Sequence, residues 1–303
     1  MACFRIGTRG SALALVQAGM VRDSLCAAHG WPPEQVAIVP IRTTGDRVQD
    51  RALADIGGKA LWTKELDRAL LEGEVDACVH SMKDVETIRP AAIALVAMLP
   101  RADVRDRLIG VDSVDALRHG AIVGTSSPRR RAQLLRMRPD LQIVLFRGNV
   151  GTRLAKLAAG EVDATLLAAA GLDRLDHGDV GTSLATDVML PAPAQGAIGI
   201  EARAEDDSAR ALVAAIDHAE TSACVRAERA LLAGLGGDCH TPVAGLASLA
   251  GETLRLRAEL LAEDGSAQVS GSIEGVAGEA CGRALAADLL ERAPPEIRRL
   301  FAA

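Results

Sequence analysis

One of the six cysteines lies in a stretch whose residue types favour a tight loop. The stretch reads Gly236-Gly237-Asp238-Cys239-His240-Thr241-Pro242. Two glycines allow backbone conformations that residues with a Cβ avoid, and Pro242 fixes φ and stops the turn from extending. A thiol at Cys239 on such a loop can act as a nucleophile or as an attachment point, and a cysteine without a chemical role is the alternative.

A lysine and an aspartate follow a short apolar run that predicts a buried strand over residues 75–80. Behind that strand come Ser81-Met82-Lys83-Asp84. In open α/β sheets, ligands bind beyond the carboxyl ends of the strands. The position of Lys83 and Asp84 therefore indicates a site of chemistry, with a surface ion pair as the alternative.

Basic residues recur at the predicted strand ends and helix starts, although the formal net charge of the chain is −6. They are Arg9, Lys59, Lys83, Arg129, Arg130, Arg147, Arg153 and Arg174. Arg129 and Arg130 fall in the first turn of a helix whose start is predicted by Ser127 and Pro128, where the helix dipole disfavours cations unless an anion is present. Because the planar fork of arginine suits carboxylates, the pattern predicts a small organic ligand with several carboxylates.

Composition argues against several classes of partner and cofactor. Aromatic residues make up 2% of the chain, and the net charge is negative, so a nucleic-acid partner is not expected. Cysteines and histidines are scattered without CxxC or HExxH spacing, and no metal site is predicted. The nucleotide-binding patterns GxGxxG and GxxxxGKS/T are absent as well. No run of signal-peptide type and none near the ~20 apolar residues of a membrane span occurs, so we expect a soluble cytoplasmic protein without a membrane partner.

The order of predicted elements indicates two α/β lobes and a smaller third domain. Gly73-Glu74-Val75-Asp76-Ala77 recurs as Gly160-Glu161-Val162-Asp163-Ala164, each copy between a predicted helix and a predicted strand. A cleft between two such lobes is a natural ligand site. Alternation of leucine and alanine with charged residues over 254–260 predicts a one-sided antiparallel sheet near the end. The predicted domains are 1–98 with 191–213, 99–190, and 214–303.

The ordered motifs together resemble the porphobilinogen deaminase family, whose members are also called hydroxymethylbilane synthases. The resemblance covers nearly the whole chain. It rests on Arg5-Ile6-Gly7-Thr8-Arg9, Gly57-Gly58-Lys59, Val79-His80-Ser81-Met82-Lys83-Asp84-Val85, Gly124-Thr125-Ser126-Ser127 with Arg129-Arg130, Arg147-Gly148-Asn149-Val150-Gly151-Thr152-Arg153-Leu154, Ala170-Gly171-Leu172 with Arg174, Gln195-Gly196-Ala197, and Cys239 with Pro242. It implies two lobes like those of type II periplasmic binding proteins, with a central cleft, and a small C-terminal α+β domain.

The same resemblance implies the activity and the cofactor. It implies a transferase that joins four porphobilinogen units into the linear tetrapyrrole hydroxymethylbilane, with loss of ammonia, in tetrapyrrole biosynthesis. A dipyrromethane cofactor on a thioether to Cys239 is the implied primer. Ammonia would leave to give an azafulvene, the free α-carbon of the primer would attack it, and a proton would then be lost. Asp84 is the carboxylate that the motif offers to the cationic pyrroles.

Site residues carry over from the family motif by motif. The cofactor residues implied are Cys239, Lys83, Thr125, Ser126, Ser127, Arg129 and Arg130. The substrate-binding residues implied are Arg9, Ser11, Lys59, Arg147, Arg153, Arg174 and Gln195. The only small-molecule partner implied is porphobilinogen, and we expect a monomer.

The chain departs from the family pattern at five positions. Asp238 precedes Cys239, where the family has Gly or Ser, and a neighbouring carboxylate tends to raise a thiol pKa and slow cofactor loading. Trp62 replaces a Phe on a loop that resembles the family's lid, and Pro128 replaces a Leu. Asp55 stands where some relatives have Lys, and Glu86 stands where Pro is usual.

Two other functions account for part of the sequence. A non-catalytic solute-binding protein would explain the lobes and the arginines, but not Cys239 or the third domain. A cysteine hydrolase would use Cys239 and His240, although adjacent residues in a turn rarely orient as nucleophile and base. Only the deaminase hypothesis requires a covalent dipyrrole on the purified protein.

Overall fold

A computed structural model of the chain describes residues 3–42, 63–237 and 240–301. Cys239 with Asp238, and Lys59 with Asp55 and Trp62, therefore lie outside the described residues. Contacts divide the chain into two compact units, Met1–Ala102 with Gly196–Ser222 and Asp103–Gln195 with Ala223–Ala303.

Strands and helices alternate over most of the chain. The strands are β1 (Phe4–Arg9), β2 (Val36–Ile41), β3 (Ala77–Ser81), β4 (Ile93–Met98), β5 (Asp106–Ile109), β6 (Ile122–Gly124), β7 (Gln142–Val144), β8 (Ala164–Ala168), β9 (Thr182–Ser183), β10 (Ile198–Arg203), β11 (Val243–Ala250), β12 (Thr253–Leu261) and β13 (Gln268–Val276). The α-helices are α1 (Ala12–His29), α2 (Lys64–Leu71), α3 (Pro128–Met137), α4 (Val150–Ala158), α5 (Ala169–Asp173), α6 (Asp207–Ala214), α7 (Ala219–Leu235), α8 (Glu279–Arg292) and α9 (Pro295–Arg298).

The first unit is built on a five-stranded sheet of order β2-β1-β3-β10-β4. Strand β1 pairs in parallel with β2 and β3, whereas β10 runs antiparallel to β3 and β4. The chain thus returns to this sheet after residue 195, since β10 spans Ile198–Arg203. Helix α1 begins at Ser11, whose side chain accepts a hydrogen bond from Ala14 N, and ends at Gly30 with φ of 65°.

The second unit contains a sheet of the same pattern, in the order β7-β6-β8-β5-β9. Strand β6 pairs in parallel with β7 and β8, and β5 runs antiparallel to β8 and β9. The predicted pair of similar α/β lobes is confirmed by this common strand order. In both copies of the repeated pentapeptide, the aspartate accepts a hydrogen bond from a backbone N–H of another strand. Asp76 accepts from Arg5 N of β1 at 2.8 Å, and Asp163 accepts from Ile122 N of β6 at 2.7 Å.

A third, antiparallel sheet of order β11-β12-β13 follows in the second unit. Leu254, Leu256 and Leu260 of β12 are fully buried, and the intervening Arg255 is exposed. Residues of α8 join the same apolar core, among them the fully buried Leu289. The one-sided sheet predicted from alternation is therefore confirmed, and the third domain is α+β.

None of the helices in the described part of the chain is long and apolar enough to cross a membrane.

Candidate functional site

Lys83 and Asp84 lie on a single 3-10 turn, Met82–Asp84, directly after β3. The turn is held by Met82 N, which donates to Ala197 O at 3.1 Å. The Met82 side chain is 1% exposed and packs where Gly199 of β10 has no side chain. A Cβ at Gly199 would lie 2.1 Å from Met82 Sδ, so the turn depends on that glycine. Asp84 itself is half-buried.

Arg9 and Ser11 lie at the same edge of the first sheet as Lys83 and Asp84. Strands β1 and β3 are parallel neighbours, so their carboxyl ends meet at one edge. Arg9 ends β1, and Ser11 caps α1 immediately after it. The structure thus brings together four predicted site residues within the first unit, as expected for a ligand site on an α/β sheet.

In the second unit, Thr125, Ser126 and Ser127 form the turn between β6 and α3. Ser127 caps α3 by accepting a hydrogen bond from Arg130 N at 3.4 Å, and Pro128 is the first helical residue. The predicted start of this helix is confirmed. The three turn residues border a cavity of about 370 Å³ whose other lining residues are Pro128, Arg131, Ile143, Val144, Leu145 and Glu263.

Arg129 and Arg130 point into the protein and meet one carboxylate, Asp106. Arg129 Nη1 donates to Asp106 Oδ2 at 2.8 Å, and Arg130 Nη2 donates to Oδ1 at 2.7 Å. Gln195 Nε2 donates to the same Oδ1 at 2.9 Å. Burial alone would raise the pKa of Asp106, but the two guanidinium groups hold that pKa well below its ordinary range. The counter-anion that the basic helix start requires is thus present within the unit.

Arg147 and Arg153 flank the start of α4. Asn149 caps this helix by accepting a hydrogen bond from Thr152 N at 2.8 Å, and Arg153 Nε donates to Gly148 O at 2.9 Å. Arg147 Nη1 is buried, and it makes no hydrogen bond to any of the described residues. A buried N–H donor without an acceptor lowers the stability of the folded protein unless a ligand supplies the acceptor.

Arg174 follows α5, next to Asp173. Burial lowers the pKa of the Arg174 guanidinium, and the adjacent carboxylate of Asp173 acts in the opposite direction. Of the remaining predicted site residues, Cys239 and Lys59 lie outside the described ranges. Among the residues that the structure describes, no cluster of His, Cys, Asp and Glu side chains could hold a metal ion.

Two carboxylates that organise these regions, Asp106 and Glu201, were missed by the sequence reasoning. Both are fully buried within strands. A signal was present for Glu201, which follows the apolar run Ile198-Gly199-Ile200, because buried carboxylates require partners, whereas Asp106 stands between Arg105 and Arg107 and gives no such signal.

Two family models match this chain and together cover most of it. The model described as porphobilinogen deaminase, dipyromethane cofactor binding domain, matches residues 4–211. The model described as porphobilinogen deaminase, C-terminal domain, matches residues 222–291.

Curated proteins of the same name are similar over nearly the full length. The porphobilinogen deaminase of Sphingopyxis alaskensis is 58% identical over 98% of this chain and 96% of its own length. The porphobilinogen deaminase of Paracoccus denitrificans is 52% identical over 96% of this chain and 95% of its own length. Among solved structures, a TRAP periplasmic solute-binding protein from Desulfovibrio salexigens aligns with a TM-score of 0.42 and 11% identity, covering 71% of this chain and 72% of that one. A likeness this distant indicates nothing about ligand or activity.

Proposed function

This chain belongs to the porphobilinogen deaminase family, and from that membership we propose how its own residues carry out the family's reaction. It joins porphobilinogen units into the linear tetrapyrrole hydroxymethylbilane and releases ammonia at each addition. The enzyme is a transferase of tetrapyrrole biosynthesis, and its cofactor is dipyrromethane. The observation that carries the proposal is the turn Met82–Asp84, which sets an acidic side chain beside a basic one at a sheet edge.

The described residues suit a cofactor that carries acetate and propionate groups. Such a ligand supplies carboxylate oxygens, which the buried Arg147 Nη1 lacks among the described residues. When bound, dipyrromethane supplies the pyrrole chain end to which the first unit is added. We assign its thioether to Cys239 and its other contacts to Lys83, Thr125, Ser126, Ser127, Arg129 and Arg130.

We assign the carboxylates of substrate and growing chain to the other basic and polar positions. These are Arg9, Ser11, Lys59, Arg147, Arg153, Arg174 and Gln195. Arginine at such positions binds a carboxylate by two parallel hydrogen bonds, which orients the pyrrole ring as well as holding it. Each added ring brings two carboxylates, so several arginines are needed.

Asp84 is the group to which we assign the chemistry. Positive charge develops on the pyrrole when ammonia leaves, and a carboxylate beside the ring N–H lowers the energy of that state. The same oxygen can accept the proton lost after each new bond forms. One carboxylate would serve every addition, so its removal would damage each cycle equally.

We further propose a three-domain division at 1–98 with 191–213, 99–190 and 214–303. The net charge of −6 supports a protein without a nucleic-acid partner. Since the family's reaction belongs to small-molecule biosynthesis, we propose a monomer that works in the cytoplasm without a membrane partner.

The experiment combines intact mass with two substitutions at Asp84. Asp84→Asn keeps the shape, removes the charge, and is expected to lower kcat by ~10²–10⁴-fold. Asp84→Glu keeps the charge one methylene away and should retain more activity, with the dipyrrole still attached. Near-normal turnover of Asp84→Asn carrying a full cofactor would show that this charge does no chemistry.

Cys239 provides the test of the attachment point. Cys239→Ala should give a folded protein without the added mass of a dipyrrole and without activity, whereas Cys281→Ala should keep both. A dipyrrole found on Cys239→Ala would place the thioether elsewhere, and a wild-type protein without any adduct would favour the solute-binding alternative.

A further inference from the structure

Strand β10 carries a fully buried carboxylate, Glu201, in the sheet of the first unit. Its strand neighbours Ile198, Ile200 and Ala202 are fully buried too. Moving an ionised carboxylate from water into such surroundings costs several kcal/mol unless charged or polar partners compensate. The side chains that meet Glu201 therefore indicate what this carboxylate is for.

Two side chains reach Glu201 from the two ends of one stretch. Arg89 donates from Nε to Oε1 and from Nη2 to Oε2, both at 2.8 Å, in a bidentate pair. His80 Nε2 lies 3.2 Å from Glu201 Oε2 without the geometry of a hydrogen bond, and the backbone of His80 is paired with Gly199 of β10. His80 precedes Asp84 in the chain and Arg89 follows it. Residues 80–89, which we call the Asp84 stretch, are thus anchored to β10 at both ends, by strand pairing at His80 and by the Glu201 carboxylate at Arg89.

Arg89 connects the Asp84 stretch to two further carboxylates. Its Nη atoms donate to Asp67 of α2 at 3.1 and 2.5 Å, and Nη1 donates to Glu86 at 2.8 Å. Glu86 in turn accepts from Thr63 Oγ1 at 2.8 Å. The side chains of Arg89, Asp67 and Glu86 are 10%, 14% and 20% exposed, so solvent screens these pairs little.

The electrostatics of the site keep Glu201 charged. Burial alone would raise the pKa of Glu201, but His80 and the Arg89 guanidinium lower it to about 2. The carboxylate is therefore ionised at neutral pH, as the bidentate pair with Arg89 requires.

We infer that Glu201 is a positioning residue for Asp84: by binding Arg89, it ties the end of the Asp84 stretch that lies outside β3 to the same strand that pairs with His80, and so closes the stretch into one fixed loop. The inference rests on the proposed function, because positioning matters only if Asp84 performs the chemistry. Glu201 touches no reacting group and acts through the backbone on either side of Asp84. A displacement of about 1 Å at a catalytic group can cost ~10²-fold in rate, so a loosened loop is enough to slow the reaction.

The test replaces Glu201 by its neutral isostere and uses a second carboxylate of the same unit as control. Glu201→Gln should lower kcat by about 10- to 100-fold with little change in KM. In an Asp84→Asn background the same change should cost almost nothing more, since the group being positioned is already gone. Asp76→Asn removes the partner of Arg5 without touching the Asp84 stretch, and should leave kcat near the wild-type value.

Hydrogen exchange gives a readout that is independent of activity. Peptides covering residues 81–89 should exchange faster in Glu201→Gln than in the wild type, and should be unchanged in Asp76→Asn. If Glu201→Gln does not fold, Arg89→Lys replaces it, because lysine keeps the positive charge but cannot form the bidentate pair with Glu201. For Arg89→Lys we likewise expect a lower kcat, almost no further loss in the Asp84→Asn background, and faster exchange over residues 81–89.

The outcomes separate the inference from the proposed function. Slow turnover in Asp84→Asn, together with normal kcat and normal exchange in Glu201→Gln, would overturn the positioning role and leave the function standing. A Glu201→Gln loss that adds fully to that of Asp84→Asn would overturn it as well. Near-normal turnover in Asp84→Asn would contradict both the chemical role proposed for Asp84 and the positioning role of Glu201.

Discussion

Arginines that look alike in the sequence differ in whether the protein itself supplies their counter-charge. Arg129 and Arg130 are 3% and 6% exposed and share the buried carboxylate of Asp106. Arg147 has a buried Nη1 without an acceptor among the described residues. The protein supplies a counter-charge for the first two, which we also assign to the cofactor, whereas Arg147 Nη1 has none of its own and calls for an external carboxylate.

This difference predicts that the same substitution, arginine to leucine, costs much more stability at Arg130 than at Arg147. Arg130→Leu leaves Asp106 with one cation fewer in a fully buried position, and should destabilise the protein by about 3 kcal/mol. Arg147→Leu removes an unsatisfied donor, and should change stability by less than about 1 kcal/mol. Chemical denaturation measures both.

Native mass spectra then show the functional side of the comparison. Arg147→Leu should load its cofactor but accumulate partly extended chains when porphobilinogen is added. If Arg130→Leu proved as stable as the wild type, or if Arg147→Leu extended chains at the normal rate, the distinction between arginines with and without an internal counter-charge would be wrong.

Strand β10 joins the chemistry to the sheet at the scale of one element. Gly199 leaves room for Met82 and pairs with His80, and Glu201 binds Arg89 at the other end of the Asp84 stretch. Position 199 requires glycine, the smallest residue, whereas position 201 requires a charged side chain. A single antiparallel strand therefore positions the turn that carries Asp84.

The charge on this strand predicts a loss of stability in acid. Glu201 has a pKa of about 2 in the folded protein against about 4.5 when exposed, so the unfolded chain binds this proton more readily. The contribution of Glu201, on the order of 3 kcal/mol, is complete above pH 4.5 and falls as the pH drops from 4.5 towards 2.

Urea denaturation at several pH values measures this dependence. Glu201→Gln should flatten the decline in unfolding free energy between pH 4.5 and 2, whereas Glu252→Gln, at an exposed turn before β12, should not. Equal slopes in wild type and Glu201→Gln would contradict the lowered pKa.

A third buried carboxylate, Glu228 of α7, acts at the scale of the whole second unit. Its Oε2 accepts from Ala194 N at 2.5 Å, and its Oε1 accepts from Ala247 N at 2.7 Å. Ala194 belongs to the segment before β10, and Ala247 lies in β11. One side chain thus connects the α/β part of the second unit to its antiparallel sheet.

We expect Glu228→Gln to weaken that connection. An amide has one acceptor oxygen, so one of the two buried backbone N–H groups would face the amide nitrogen and lose its partner. The expected cost is about 1–3 kcal/mol in unfolding free energy. Glu220→Gln, at the exposed start of the same helix, is the matched control and should cost less than about 1 kcal/mol. A Glu228→Gln protein as stable as that control would show that the connection contributes little.

The sequence alone determined the features that depend on neighbouring residues. Helix α1 has a capping serine at Ser11 and a left-handed glycine at Gly30, both readable from residue type. The same holds for the Ser127-Pro128 helix start and for the alternation along β12. The reaction could be predicted from the sequence as well, because the motifs that carry the family resemblance are contiguous runs of residues and can be recognised without the structure. Some predicted bounds were wrong at the margins, since β3 spans Ala77–Ser81 where a strand over 75–80 was predicted.

Only the tertiary structure decided which charges are satisfied inside the protein. Asp106 meets Arg129 and Arg130 from another element, and Glu201 meets Arg89 from more than a hundred residues away. A single sequence cannot show such pairs, because either residue could equally be solvated on the surface. Burial makes them decisive: away from water an ionised group must find a partner, and which partner it finds depends on how the strands are ordered in the sheet.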